Sequence, residues 1–436
     1  MADWKRYTPE GTQDVLPEKC AEKMKMEATI SEVFEGFGYH VVETPVLQFY
    51  DAFNTVSGKI PQEMMFKFFD AQGRILVLRP DITTCLARMV ASKLDDGIYP
   101  KRLYYCGKVF RYIDAGTAGE REFCQAGIEL FGADGDSADA EVIACAIEAL
   151  LAAGLESFQI ELGQVAFYKG IVAQAGLNEE DTETLRGHID KKDTLAISEF
   201  LKSRNVEPGL ASLLETLPTL FGGAEILDVP DVSLLNEQAK AAILNLKNVY
   251  SLLCQYGYGE YVSIDLSLLQ GINRYTGIIF KGITHGIGYS VCAGGRYDGL
   301  TGEFGASLSA VGMSIGTDRL LTVLSRQGKH EGHIGSDFIV STKDDVLTYQ
   351  ILTALRDCGY IAEQAFCNES PEALHRYAEE NHIQGIVTAT EGDMLKIENL
   401  ALNETTEMSL LELLHQCEDD CTCGEEECTC GCHHDE

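Results

Sequence analysis

Positive charge is scarce in this 436-residue chain: 34 Lys and Arg stand against 68 Asp and Glu, a formal net charge of −34. A nucleic-acid binder normally carries a basic face that neutralises phosphates. Any such face here would sit in a strongly negative field, and anionic membrane surfaces are disfavoured for the same reason. Long apolar runs are also missing. The most apolar helical stretch, residues 142–155, is interrupted by Glu148 and falls short of the ~20 apolar residues a membrane span requires. The opening, MADWKRYTPEGTQDVLP, has no apolar core of the secretory-signal kind. The expected compartment is the cytoplasm, with no membrane partner.

What is present is otherwise ordinary for a globular protein, with 45% apolar and 23% charged residues. The length suggests about three domains and is ample for a sizeable core. Cysteine stands out, with 15 residues. Six of them, Cys417, Cys421, Cys423, Cys428, Cys430 and Cys432, fall in the last twenty positions. The other nine are scattered, mostly among apolar neighbours, and read as reduced, small core residues.

Helix and strand signals alternate over the first 160 residues. Apolar spacing predicts helices over 18–37, 81–93 and 137–153, the last with Ser137 as a helix-capping residue. Strands are expected at 39–46, where Pro45 marks an edge or bend, and at 75–79, 102–111, 121–130 and 158–162. The 102–111 and 121–130 runs flank a polar loop and suggest an antiparallel hairpin. Residues 166–258 change to helix after helix, as an insertion between sheet halves. Strand signals return at 262–266, 277–280 and 287–292, and residues 310–325 supply a strand and a closing helix. A polar, Gly-rich linker at 328–335 leads to a small αβ unit over 336–416, with helices at 348–358, 371–382 and 410–415. The class is α+β.

Several residues can carry chemistry. Arg111 follows a β run and faces a loop, where it can clamp an anion bidentately or lie solvated at a strand end. Asp81 and Thr83 stand at a helix start, where both are common caps. Gln125 and Glu129 share one face of a strand. Near a cleft they would suit an ammonium and an imidazole N–H; on a bare surface they are plain polar alternation. Tyr275 and Tyr297 can line a ring-shaped pocket or fill a core. Gly294-Gly-Arg-Tyr-Asp-Gly299 is either a close backbone approach to a ligand or a tight turn. Arg319 is a surface Arg of the last core helix on its own spacing.

Five motifs occur in order: Leu78-Arg-Pro-Asp-Ile-Thr83, the run from Val109-Phe-Arg111 to Glu129, Gln270-Gly-Ile-Asn-Arg-Tyr-Thr-Gly277, Ala293-Gly-Gly-Arg-Tyr-Asp-Gly-Leu300 and Val311-Gly-Met-Ser-Ile-Gly-Thr-Asp-Arg-Leu320. Together they resemble the histidyl-tRNA synthetase family, and within it most closely the catalytically silent branch, the regulatory subunits of ATP phosphoribosyltransferase. The resemblance is strong over residues 5–327 and weak over 336–415. It implies a class II synthetase-like antiparallel sheet flanked by helices over 1–327, a helical insertion at about 166–258, and a degenerate anticodon-binding-like αβ domain over 336–416. It further implies a histidine-binding set of Asp81, Thr83, Arg111, Gln125, Glu129, Tyr275 and Arg296, with Arg319 matching an ATP-phosphate Arg. The partners implied are a short-form ATP phosphoribosyltransferase catalytic subunit in a hetero-octamer, histidine as effector, and a second copy of the chain through the core. No tRNA partner, no required cofactor and no catalytic residue are expected.

The departures from active synthetases favour this branch. Gln270 stands where they keep an Arg that stabilises charge on the reacting phosphate, and losing such a donor costs roughly 3–4 kcal/mol of transition-state stabilisation. Ile113 replaces an acidic residue, with Asp114 adjacent, and Arg274 replaces a Tyr. Asp81 stands for the usual Glu, as is typical of the regulatory branch. Residues 337–416 carry four basic residues (Lys343, Arg356, Arg376, Lys396) against 15 acidic ones, a net of −11, which opposes an anticodon loop. The alternative is an active histidyl-tRNA synthetase. The tail 417–436 falls outside the resemblance. Its six cysteines and two histidines suggest a chelate for zinc or another soft metal, or else a disordered acidic tail with reactive thiols.

Overall fold

In the computed structural model, the described residues are 4–55, 60–112, 120–269, 271–328, 335–366, 370–390 and 394–413. The chain folds as two compact units, the first running for the most part to residue 330 and the second taking up the remainder. Among the described residues no helix is long and apolar enough to cross a membrane.

In chain order the first 328 residues form α1 (Pro17–Gly36), β1 (His40–Val41), β2 (Leu47–Phe49), β3 (Lys67–Phe69), β4 (Ile75–Leu78) and α2 (Thr83–Met89). The hairpin β5 (Lys101–Phe110) and β6 (Glu122–Phe131), then α3 (Asp136–Ala152) and β7 (Gln159–Gln164), follow. Next come α4 (Val165–Gln174), α5 (Glu179–Asp190), α6 (Thr194–Ser203), α7 (Pro208–Thr216), β8 (Phe221–Gly222) and α8 (Glu237–Gln255). The last are β9 (Val262–Asp265), β10 (Ile278–Ile283), β11 (Cys292–Arg296), β12 (Ala310–Gly316) and α9 (Thr317–Arg326).

Nine of these strands make one sheet in the order β1-β5-β6-β12-β11-β10-β7-β9-β8. The six from β5 to β7 are antiparallel throughout. Parallel pairs, β1 with β5 and β7 with β9, are confined to the flanks. Side chains alternate across a strand, and β6 uses this fully. Its Ala126, Ile128 and Leu130 join the main core with Met26, Ile30 and Phe34 of α1 and the apolar face of α3. Its Phe123 and Phe131 join a second cluster with Ile82, Tyr105 and Tyr297. Ile143, Ile147 and Leu150 of α3 are fully buried, each contributing about 1.5–3 kcal/mol.

The helical insertion follows from its caps. Asn178, Asp193 and Asn236 each accept a backbone N–H three residues on, from Asp181, Ala196 and Ala239. Each satisfies an otherwise orphaned donor and starts a helix.

Some elements differ from expectation. The strand expected at 39–46 is only His40–Val41: β1 is an edge of the large sheet, and beyond Pro45 the next strand, β2, pairs with β4 instead. Ser137 does not cap α3, because Gly135, at a φ of 88°, takes the cap position. The strand expected at 287–292 begins only at Cys292. Of the Gly-rich string 294–299, the first three residues belong to that strand, and the chain turns only from Asp298. A Cβ at 294 would stand 2.4 Å from the Gly312 carbonyl oxygen of β12, so glycine lets the strands pack. Among the scattered cysteines, Cys106 and Cys254 are exposed rather than core, and Cys358 is disulfide-bonded rather than reduced.

The second unit holds a five-stranded sheet built from Phe338–Ser341, Ala362–Gln364, Gly385–Ala389, Met394–Asn399 and Glu404–Ser409, with helices Asp345–Asp357 and Pro371–Glu380. One apolar cluster forms around Val340, Ile351 and Val387, another around Ile339, Leu374 and Ile386. Ile339 and Val340 are consecutive on one strand, so the clusters lie on opposite faces of the sheet.

Candidate functional site

A cavity of about 260 Å³ opens on the β5, β6, β11 and β12 side of the large sheet. It collects six of the seven residues expected to act together: Asp81, Thr83, Arg111, Gln125, Glu129 and Tyr275. The segment Pro80 to Thr83 enters from the start of α2. Asp81 accepts the Thr84 N–H at 2.9 Å and hydroxyl at 3.2 Å, so it does cap the helix, and its other contact faces the cavity. Arg79, inside the same motif, is a strut: its guanidinium donates to the carbonyls of Lys108 at 2.8 Å and Thr44 at 2.6 Å.

Glu129 forms the floor. It is 1% exposed and accepts the Tyr297 hydroxyl. Burial lifts its carboxyl to about 7, while hydrogen bonds from Thr83 and Tyr297 and the charge of Arg274 pull it back. Gly312 on the adjoining strand is required here, because a Cβ would fall 1.7 Å from Glu129 Oε2. Gln125 is held by its amide donating to Ser314 Oγ at 3.3 Å. Tyr275 covers one side, with its carbonyl fixed by Lys169 Nζ at 2.9 Å.

Three guanidinium groups bring positive charge. Arg111 donates to the Pro80 carbonyl at 2.9 Å and lies over the Phe123 ring at 5.3 Å. Burial depresses its affinity for a proton, and Arg274 and Arg319 repel it. Arg319 lies over Tyr289 at 4.9 Å. Arg274 pairs with Asp81 at 3.0 Å, and that carboxylate is only 4% exposed. The departure at position 274 therefore places a cation on the buried acid of the cavity.

Arg296 does not join them. Its guanidinium pairs with buried Asp139 of α3 at 2.8 Å, reaches Asp298 at 3.2 Å and donates to the Ala133 carbonyl at 3.3 Å. This corrects its expected place in the site: a guanidinium bound to a carboxylate that is itself 1% exposed ties strand to helix. Sequence reasoning did not select Phe123, Ser314 and Gly312 for the cavity. Strand alternation from Gln125 and from Gly316 would have found the first two. Gln270, Ile113 and the tail cysteines Cys417, Cys421, Cys423, Cys428, Cys430 and Cys432 lie outside the described residues.

Six antiparallel strands with helices on the sheet and a polar, amino-acid-sized cavity at its centre define a synthetase-type core. The family model for histidyl-tRNA synthetase matches residues 11–320. The chain belongs to the histidyl-tRNA synthetase family. Among its relatives, an ATP phosphoribosyltransferase regulatory subunit of Acetivibrio thermocellus is 42% identical over 95% of this chain and 100% of its own. One from Clostridium acetobutylicum is 39% identical over 92% and 99%. The crystal structure of an ATP phosphoribosyltransferase regulatory subunit/histidyl-tRNA synthetase from Bacillus halodurans superposes with a TM-score of 0.78 at 31% identity, covering 88% of this chain and 98% of that one. The histidyl-tRNA synthetase of Nostoc gives 0.78 at 23% identity, over 95% and 99%, a likeness of fold.

Proposed function

We propose that the chain is the non-catalytic regulatory subunit of an ATP phosphoribosyltransferase. It would be required by a separate short-form catalytic chain for the first step of histidine biosynthesis, and would convey feedback inhibition by histidine. The observation that carries this reading is the 42% identity, spanning the whole of a relative that bears that name. The cavity supports it chemically. Glu129 and Gln125 offer an acceptor and an amide to an imidazole, and Arg111 suits a carboxylate. Asp81 offers a counter-charge to an ammonium, which must share it with Arg274. Gln270 in place of a cation argues against adenylation.

The same reading takes the protein to be cytoplasmic, to dimerise through its core, and to join its partner in a hetero-octamer without tRNA. The second unit supports the exclusion of tRNA. Of its four cations, Arg356 is engaged by the Ala362 carbonyl at 2.8 Å and Lys396 by Glu398 at 2.7 Å.

Calorimetry with histidine tests the assignment, together with a histidine-dependent ATP–pyrophosphate exchange assay on the isolated chain. Histidine should bind. Gln125→Ala should weaken it by about tenfold, the worth of roughly one hydrogen bond of ~1.4 kcal/mol. Robust exchange would overturn the regulatory reading in favour of a working synthetase.

A further inference from the structure

We propose that Glu27, Cys106 and Cys124 form a site for one zinc-type divalent cation, on the face of the sheet opposite the cavity. Glu27 comes from α1, Cys106 from β5 and Cys124 from β6. One ligand atom of each lies within 4.8 Å of the other two, and among the described residues no other group of three His, Cys, Asp or Glu side chains meets that condition. Cys124 is the neighbour of Gln125, a cavity residue, so strand alternation puts its sulfur on the far side.

Strand register distinguishes a metal from a disulfide. Cys106 stands opposite Ala126, and Cys124 opposite Lys108. The two cysteines are therefore diagonal neighbours, with backbones typically about 7–8 Å apart. A disulfide wants Cα atoms about 4.4–6.8 Å apart. A tetrahedral metal about 2.3 Å from each sulfur leaves the sulfurs about 3.8 Å apart, which side-chain rotation alone can supply.

The charges are also arranged for a cation. Lys23 pairs with Asp318 at 2.6 Å and stands 3.8 Å from Glu27. Lys23 is shared between the two carboxylates and offsets one negative charge, so Glu27, Asp318 and two thiolates together still leave a net negative site for a dication.

Supporting contacts hold the ligands in place. The Thr317 hydroxyl donates to Glu27 Oε1 at 2.6 Å, and Asp318 accepts the Cys124 N–H at 2.6 Å. Such contacts orient metal ligands. Cys106 is exposed, leaving a way in and a fourth position for water. Two sulfurs and one carboxylate select a borderline-soft ion over magnesium or calcium.

The test uses the full-length chain under reducing conditions, with the six tail cysteines changed to serine so that they cannot compete. Cobalt(II) serves as the coloured stand-in for zinc. One equivalent should bind with a thiolate-to-cobalt absorption band, and zinc should bleach it. Cys106→Ser and Cys124→Ser should each abolish the band, and Glu27→Gln should weaken binding at least about tenfold. Thermal melts matching the parent would show the variants folded. No band in the parent would overturn the proposal, as would a band surviving in the double serine variant. Isolation of a Cys106–Cys124 disulfide that accounts for both sulfurs under these conditions would do the same.

Discussion

Glu129 shows how one buried group sets a pH response. An ordinary Glu titrates near 4.3, whereas burial holds this one at about 7. The folded state thus keeps its proton more tightly than the unfolded chain. The stability this group provides is full below about pH 4.3 and is lost as pH rises through about 7, by on the order of 3 kcal/mol. Glu129→Gln, an isostere of the neutral acid, should remove this decline. Denaturant melts at pH 5 and pH 8 should show a smaller drop in the variant than in the parent; equal drops would refute the assignment. Arg274 illustrates the limit of reading residues singly. Its identity marks a departure from the family pattern, but only the fold shows that it lands on Asp81, 193 positions away.

At the scale of elements, the helical insertion can be tested at its caps. Asn236 caps α8 through the Ala239 N–H and also donates to the Gly170 carbonyl of α4 at 2.8 Å. Asn236→Ala should cost about 1–2 kcal/mol, seen as a lower urea midpoint with unchanged slope, while the cavity stays intact. Helices and long strands were legible because their signal is local: apolar spacing, caps, and the alternation that already put Gln125 and Glu129 on one face. The misses came from non-local causes. Cys292–Arg296 looks like a turn because its glycines answer to the neighbouring strands rather than to a bend. Arg296 looks like a ligand clamp because its partner, Asp139, belongs to a helix far away in sequence. Glu404–Ser409 is too polar to announce itself as a strand, being an edge strand with largely exposed side chains.

For the whole molecule, a net charge of −34 means self-repulsion within the compact state. Salt should relieve it. Raising sodium chloride from roughly 50 mM to roughly 500 mM shortens the screening length several-fold and should raise the melting temperature; a fall would show that attractive ion pairs dominate instead. The two largest apolar clusters of the first unit and the cavity are anchored by the alternation of β6. Phe123, Gln125 and Glu129 face the cavity, while Ala126 and Ile128 face the helix layer and Cys124 faces Glu27 of α1. A one-residue slip along that strand would trade the two sets, sending carboxylate and amide into oil and aliphatic side chains into the cavity. Within residues 122–131 a side-chain exchange disturbs one face of the sheet, whereas a change of length disturbs both. An insertion or deletion there that shifted the register would exchange the buried and cavity-facing sets at once, however conservative the residues it brings.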